Sequence, residues 1–305
     1  MNDLITILGP TASGKTGLAA TLAAEIDGEI ISADSRQVYR GMDLGTGKDL
    51  QDYSVEGKQI PYHLIDIADA GEEYNVYLFQ KDFIKAYTKI CMHGKKAVMC
   101  GGTGMYLESV LLNYELKEVA VNKDLRSDLE KLSDEELIQK LKTLRNVHNV
   151  TDTEDRERLI RAVEIEEGKR QKAKGKTGKE FPTFKHLVFG ISVSREEIRK
   201  RITMRLKQRL DEGMLDEIRR LLDQGVTAQQ LEFYGLEYKF LTQHVVGEIN
   251  YNDMFQRLNT AIHQFSKRQM TWFRRMEKKG VQIHWIEGSL PMEDKLRKIL
   301  NRISN

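Results

Sequence analysis

The sequence predicts an α/β protein: a P-loop NTPase-like parallel sheet flanked by helices, with an all-helical insertion domain. In the first third of the chain, short aliphatic runs alternate with amphipathic stretches. Such alternation is typical of βαβ units, whose parallel strands are buried on both faces. A glycine-rich motif follows the first aliphatic run, where phosphate-binding loops occur. Later, a charged stretch with helical periodicity and no strand pattern interrupts the alternation.

The predicted strands are short runs rich in Ile, Leu and Val. They are LITIL (4–8), EIIS (29–32), HLIDI (63–67), AVMC (97–100), HLVFGISV (186–193) and VQIHWIEG (281–288). Helical periodicity is found in GLAATLAAEI (17–26), in VYLFQKDFIKAYTKI (76–90) and in three long stretches after residue 194. We therefore predict that residues 1–112 and 184–305 form the α/β core. Residues 113–183 are predicted to form the insertion, which contains a basic loop at 170–180.

Composition excludes several classes of protein. The 305 residues include 4 Pro, 23 Gly and 2 Cys, which argues against collagen-like, disordered and disulfide-rich chains. No apolar run approaches the roughly 20 residues that a transmembrane helix requires. The start of the chain shows no signal-peptide pattern, and Cys91 and Cys100 fit a reducing compartment. The expectation is a cytoplasmic protein that does not contact membranes and is monomeric.

Charge is unevenly distributed along the chain. Residues 1–112 carry 10 basic and 15 acidic side chains, whereas residues 113–305 carry 38 and 31. A basic C-terminal part suggests a polyanionic partner. A solvated helical surface is the alternative that charge alone leaves open.

The strongest motif is Gly9-Pro-Thr-Ala-Ser-Gly-Lys-Thr16, a complete GxxxxGK[ST] pattern between a predicted strand and a predicted helix. In such a loop, successive backbone N–H groups point at phosphate oxygens, and the helix N-terminus adds partial positive charge. Lys15 is expected to neutralise phosphate oxygens, and the Thr16 hydroxyl to ligate Mg²⁺. The motif indicates a phosphate ligand without specifying which one.

Two further blocks follow predicted strands. Asp34, after EIIS, and Asp66, in HLIDI, both stand where a Walker-B carboxylate would, and the pattern does not choose between them. Asp34 is also a candidate base, with a turn-capping role as the alternative. Gly101-Gly-Thr-Gly-Met-Tyr106 follows AVMC and offers backbone donors for anions, although tight turns also use Gly-Gly.

These blocks together resemble one family, the tRNA dimethylallyltransferases of the bacterial type. The resemblance spans essentially the whole chain. It is carried by GPTASGKT, ADSRQVYRGMDLGTGK, GGTGMY, DRERLIRAVEI (155–165), RLKQRLDEGMLDE (205–217) and KRQMTWFRR (267–275). It implies an enzyme that moves a dimethylallyl group from its diphosphate to the exocyclic amine of the adenine 3′ of a tRNA anticodon, releasing diphosphate. Its implied partners are dimethylallyl diphosphate and the tRNA anticodon stem-loop, with Mg²⁺ as cofactor.

The resemblance also implies roles for individual residues. Asp34 is the implied general base, and Thr103 lies beside it as a second catalytic residue. Arg205 matches the arginine that closes over the diphosphate in this family, although Arg209 stands where an apolar residue is expected. The implied diphosphate ligands are Gly9, Thr11, Ala12, Ser13, Gly14, Lys15, Thr16 and Arg205. The implied tRNA contacts are Asp34, Ser35, Arg36, Gln37, Thr103, Arg126, Glu157, Arg158, Leu159, Ile160, Arg161, Gln264 and Arg268. Ordinary helix ion pairs are the alternative for Arg158 and Arg161, and Trp272 is expected to be buried beside a cleft-facing Arg268.

Three competing functions explain part of the sequence. A P-loop small-molecule or nucleoside kinase would use GPTASGKT but leaves the basic insertion unexplained. An RNA-binding ATPase without transferase activity would explain the basic patches but not Asp34 and Thr103. A prenyltransferase acting on free adenine nucleotides would need no insertion of roughly 70 residues to hold RNA.

Overall fold

The computed structural model describes residues 4–116, 119, 122–144, 156–172 and 182–304, with backbone alone for 157, 158 and 169–172. Six strands form one parallel sheet: β1 (Leu4–Leu8), β2 (Gly28–Ala33), β5 (Tyr62–His63), β6 (Lys96–Gly101), β7 (His186–Ser192) and β8 (Ile283–Glu287). Their spatial order is β5-β2-β6-β1-β7-β8. A separate hairpin pairs β3 (Ser54–Val55) with β4 (Lys58–Gln59). The predicted parallel sheet is confirmed.

One predicted strand is wrong over most of its length. HLIDI was expected to be a strand at 63–67, but the chain leaves the sheet after His63. Leu64 and Asp66 have φ of 64° and 54°, in the left-handed region that strands exclude. Leu64 and Ile65 are nevertheless buried, at 6% exposure each. An apolar run in a buried loop therefore gave the same sequence pattern as a buried strand.

Helices cover the sheet and form the region after β7. In the first part lie α1 (Lys15–Glu25), α2 (Val76–Met92) and α3 (Gly104–Leu111). After β7 follow α7 (Arg195–Asp211), α8 (Met214–Asp223), α9 (Ala228–Phe233), α10 (Leu236–Val245), α11 (Tyr251–Lys278) and α12 (Met292–Ser304). The stretch at 195–225, which reads as one helix, is broken at Gly213, whose φ of 101° no helical residue adopts. In the described part of the chain, none of the helices has the length and apolar character that a bilayer crossing needs.

The chain forms two compact units, Met1–Tyr114 with Pro182–Asn305, and Glu115–Phe181. The second unit contains α4 (Lys123–Leu129), α5 (Asp134–Leu144) and α6 (Arg156–Lys172). These helices share a small core that includes Leu129, Leu137, Leu141, Leu159 and Val163. The predicted basic loop at 170–180 lies outside the described residues, except for the backbone of its first three.

Two buried clusters stabilise the first unit. One packs α1 and α12 on the sheet, through residues such as Leu18, Leu22, Phe189 and Ile299. The other lies between the loop after β2 and helices α7, α8, α10 and α11, and contains Val38, Met42, Ile218, Tyr238 and Leu258. The second cluster therefore joins the N-terminal loops to helices that occur more than 150 residues later in the chain.

Candidate active site

The carboxyl ends of three adjacent strands bring the predicted motifs together. Strand β6 lies between β2 and β1, so that Gly101 is opposite both Ala33 and Leu8. The GPTASGKT loop, the Asp34 segment and Gly101–Tyr106 therefore leave the sheet side by side. In open parallel sheets, ligands bind at this edge.

The P-loop has the backbone shape that its sequence predicts. Ala12 and Gly14 have φ of 60° and 81°, so the chain curls before α1 begins at Lys15. A Cβ at Gly9 would lie 2.6 Å from the Ser13 hydroxyl, so glycine permits this close approach. The buried Ser13 hydroxyl has no hydrogen-bond partner within the described residues.

Lys15 is half-buried next to groups of both signs. Burial lowers the pKa of its ammonium, while the neighbouring Cys100 and Asp34 act in the opposite direction and Arg205 adds to the lowering. Lys15 and Asp34 therefore belong to one electrostatic cluster, although Lys15 follows β1 and Asp34 follows β2. A strongly anionic ligand would offset the cost of burying the Lys15 charge.

Asp34 and Thr103 are brought to the same place. The Ser35 N–H donates to Thr103 Oγ1 over 3.0 Å, and the Thr103 N–H donates to the Ala33 carbonyl over 3.2 Å. Asp34 Oδ1 accepts from the Arg36 N–H at 2.9 Å, so the turn-capping arrangement weighed from the sequence is present at this oxygen. Arg36 Nη1 contacts the Phe233 carbonyl, and Gln37 Nε2 donates to the Gly47 carbonyl over 3.1 Å.

Gln269 is a site residue that the sequence interpretation missed. Its side chain, 6% exposed on α11, accepts from the Thr11 N–H at 2.8 Å and donates to the Gly102 carbonyl over 2.9 Å. One amide thus joins the P-loop to the GGTGMY turn. A signal was available, since Gln269 stands in the KRQMTW block that carries the resemblance, but the resemblance implied roles only for Gln264, Arg268 and Trp272 on this helix.

Arg205 reaches the site from α7, with an unexpected partner. Arg205 and Arg209 both donate to Asp49, the former to Oδ2 and the latter to Oδ1 at 2.7 Å. Partial burial opposes ionisation of Asp49, but the two guanidinium groups outweigh it and lower the pKa of the carboxyl below its ordinary value. Arg209, where an apolar residue was expected, is 8% exposed and forms part of this cluster.

Asp66, one of the two Walker-B candidates, lies in a structural ion pair. The Lys48 side chain is fully buried, and its ammonium donates to Asp66, to Asp43 at 2.8 Å and to the Tyr39 carbonyl at 2.8 Å. A buried ammonium with three acceptors fixes the loop that carries it. Of the two Walker-B candidates, Asp34 is therefore the one whose carboxylate lies near the P-loop.

Glu217 fixes the other side of the same loop. Its carboxylate accepts from the N–H groups of Asp43, Leu44 and Gly45 and from the Tyr238 hydroxyl at 2.6 Å. This gives a structural role to Tyr238, which lies in the segment YGLEYK (234–239) and is 1% exposed. The loop that contacts Gln37 and Arg205 through Gly47 is therefore held from two directions.

The predicted tRNA contacts on the insertion divide into three groups. Arg126 and Arg161 both contact the buried Glu164, and Arg161 also donates to the Val119 carbonyl over 2.8 Å. Leu159 and Ile160 place their side chains in the core of the insertion. The side chains of Glu157 and Arg158 lie outside the described residues. RNA contact by this set stays a prediction.

Helix α11 carries the remaining predicted residues. Gln264 and Arg268 are exposed. Trp272 is half-buried against Gly104, where a Cβ would lie 2.3 Å from the indole ring, and the Arg275 guanidinium lies 4.0 Å from the ring centroid. The expected packing role of Trp272 is thus seen against α3.

Comparison with known proteins bears on this arrangement. The family model described as IPP transferase matches residues 37–276. A curated relative from Phocaeicola vulgatus, named tRNA dimethylallyltransferase 2, is 57% identical over 300 residues, which cover 98% of this chain and 97% of the relative.

The chain belongs to the IPP transferase family.

Solved structures agree with this assignment. The tRNA Δ(2)-isopentenylpyrophosphate transferase of Staphylococcus epidermidis is 32% identical, with a TM-score of 0.70 over 99% of this chain and 98% of that protein. A eukaryotic dimethylallyltransferase that acts on tRNA shares the fold, with a TM-score of 0.77 at 24% identity over 100% of this chain and 80% of its own. The predicted family, the fold class and the assignment as a prenyl-transferring tRNA-modifying enzyme are confirmed.

Proposed function

We propose that this IPP transferase transfers a dimethylallyl group from dimethylallyl diphosphate to the exocyclic amine of the adenine 3′ of a tRNA anticodon, as a cytoplasmic monomer. The supporting observation is the convergence of Asp34 and Thr103 with the P-loop at the carboxyl edge of β2, β6 and β1. A phosphate cradle beside a carboxylate suits a reaction that releases diphosphate and a proton together.

The P-loop would bind the diphosphate of the prenyl donor. Its N–H groups, Lys15 and the guanidinium of Arg205 would stabilise negative charge as the allylic C–O bond breaks. That bond's electron pair leaves with the diphosphate. Because Lys15 is half-buried and electrostatically coupled to Asp34, its charge acts in a medium less screened than bulk water.

Asp34 would accept the amine proton. As the adenine nitrogen bonds to the allylic carbon, one N–H proton is released and passes to a carboxylate oxygen. The Ser35–Thr103 hydrogen bond and the Arg36 N–H hold Asp34 in its turn, so the base needs little rearrangement. An anticodon-loop base must leave its stack to reach this point.

Mg²⁺ fits the oxygen donors at the P-loop. Thr16 is the second residue of α1, directly after Lys15. Its hydroxyl and the phosphate oxygens are ligands of the kind that Mg²⁺ prefers. Among the described residues there is no cluster of three acidic, His or Cys side chains that could hold a metal alone, so most ligands would come from the diphosphate and water. When bound, the ion would neutralise the leaving diphosphate.

The insertion would bind the anticodon arm. Arg126 and Arg161 sit around one buried carboxylate, that of Glu164, and their side chains are 29% and 26% exposed. Such groups bind RNA phosphates without reading sequence.

The test is a transfer assay with radiolabelled dimethylallyl diphosphate, Mg²⁺ and an anticodon stem-loop, with AMP and ATP in parallel tubes. We expect label in the stem-loop, none in AMP and no ATP turnover. Asp34→Asn should abolish transfer while leaving diphosphate binding within about threefold, and Asp69→Asn, an exposed carboxylate paired with Arg40, is the matched control. Unchanged turnover by Asp34→Asn would remove Asp34 as the base, and ATP turnover without labelled RNA would point to a kinase instead.

A further inference from the structure

Arg205, Asp49 and Arg209 form a row of three ion-paired side chains that differ in their exposure to solvent. The Arg209 side chain is 10% exposed, whereas those of Arg205 and Asp49 are 31% and 42% exposed. Asp49 uses one carboxylate oxygen for each arginine. Of the two arginines, Arg209 is therefore the one that burial fixes, and Arg205 is the one that solvent and ligands can reach.

The lack of a side chain at Gly47 allows both arginines to approach the backbone closely. The φ of Gly47 is 74°, and a Cβ there would lie 2.9 Å from Arg209 Nη1 and 3.2 Å from Arg205 Nη2. Both guanidinium groups thus pack against bare backbone. The Gly47 carbonyl also accepts from Gln37 Nε2, so this contact continues into the Asp34 segment.

Arg205 keeps donors available while it holds Asp49. Only its Nη2 contacts Asp49 and the Gly47 carbonyl, and within the described part of the chain Nη1 and Nε contact no acceptor. A guanidinium carries five N–H donors in a planar fork. Arg205, Arg209 and Thr11 line one small cavity beside the P-loop, together with Glu237 and apolar side chains such as Ile202, so Arg205 lies next to the loop that is proposed to bind the diphosphate.

We infer that Arg209 and Asp49 are positioning residues for the diphosphate site, in which Arg209 fixes Asp49 and Asp49 orients Arg205 toward the P-loop. This rests on the proposed function of Arg205 as a diphosphate ligand. An arginine already held in its binding geometry loses less side-chain entropy when the ligand arrives. Removal of either partner should therefore weaken diphosphate binding without any lost contact to the ligand.

Isothermal titration with inorganic diphosphate and Mg²⁺ tests this on the full chain. Arg205→Met should weaken binding about 10- to 100-fold, as expected for a lost charge-assisted hydrogen bond. Arg209→Met and Asp49→Asn should each weaken it about 5- to 10-fold, and Arg209→Lys should recover most of the loss. Arg201→Met is the control, because Arg201 lies on the same helix and pairs with Glu197.

The double variant Arg205→Met/Arg209→Met decides how Arg209 acts. If it acts through Arg205, the second substitution adds less than about twofold. A full additional loss would mean that Arg209 contacts diphosphate directly, and tighter binding by Asp49→Asn would mean that Asp49 competes with the ligand. Either result, or unchanged binding by Arg209→Met, overturns the inference. Should Lys15→Met and Arg205→Met both leave binding unchanged, the proposed diphosphate site itself fails.

Discussion

Replacement of Glu217 by Gln tests the anchoring of the loop at residues 43–49. Its Oε2 accepts from the N–H groups of Asp43 and Leu44, both at 2.8 Å, and Oε1 accepts from Gly45 at 3.0 Å and from the Tyr238 hydroxyl. A glutamine has one acceptor oxygen, so two of the four donors lose their acceptor whichever way the amide turns. Its NH₂ group would also face those donors.

The magnitude follows from these contacts. A hydrogen bond to a charged acceptor contributes about 1.5–3 kcal/mol, so Glu217→Gln should lower the free energy of unfolding by about 3–6 kcal/mol. Tyr238→Phe removes a single donor and leaves three N–H groups on the carboxylate. It should therefore lower the free energy of unfolding by about 1.5–3 kcal/mol, half of the loss expected for Glu217→Gln.

Urea unfolding at pH 7, followed by circular dichroism, measures both variants. At about 2–4 °C per kcal/mol, Glu217→Gln should also lower Tm by roughly 10 °C. The loop includes Gly47, whose carbonyl contacts Gln37 and Arg205, so transfer activity should fall below wild type even where the variant is fully folded. Equal losses of stability in the two variants would refute the reasoning that Glu217 holds the loop through its backbone amides.

Two further outcomes are expected. Gly104→Ala should lower the free energy of unfolding by about 1–3 kcal/mol and shift the tryptophan fluorescence, because its Cβ would lie 2.3 Å from the Trp272 ring. The control is Gly17→Ala, whose Cβ would have only a methyl carbon near it, at 3.9 Å. Equal Tm values for the two variants would contradict the packing argument. Although burial opposes ionisation of Glu108, hydrogen bonds from Lys279, Tyr114 and Arg275 lower the pKa of its carboxyl below the ordinary 4.5. Glu108 therefore stabilises the fold at neutral pH and loses this contribution as pH falls through its lowered pKa. Glu108→Gln should reduce the free energy of unfolding by about 2 kcal/mol at pH 7, with the gap narrowing below about pH 4 in acid titrations; a gap that is constant with pH would show that the charge is irrelevant.

Local patterns predicted the parts of the site that local structure determines. The P-loop between β1 and α1 depends on eight consecutive residues, and its glycines and lysine fix both the backbone shape and the ligand charge. The family resemblance implied that Thr103 lies beside Asp34, and the structure gives the physical reason, since each residue follows a strand and parallel strands end at one edge.

Contacts between distant residues were beyond that reasoning. Asp49 and Arg209 are 160 positions apart, and Thr11 and Gln269 are 258 apart. Each of these side chains has many local interpretations, and an arginine or glutamine on an amphipathic helix usually faces solvent. The same limit explains HLIDI, since burial of Leu64 and Ile65 depends on what packs over the loop.

The long-range contacts share a direction that bears on how the enzyme works. Gln269 from α11, Glu217 from α8 and Arg205 from α7 each hold a loop that belongs to the first third of the chain. The P-loop and the Asp34 segment therefore gain their fixed geometry only when residues after the insertion have packed onto them. An orienting side chain must be rigid to lower the entropy that is lost on binding. We therefore expect activity to depend on α7, α8 and α11 as much as on the P-loop motif itself. Under the proposed function, the motif would supply donors for a diphosphate, and the distant helices would set the positions from which those donors and the Asp34 carboxylate act.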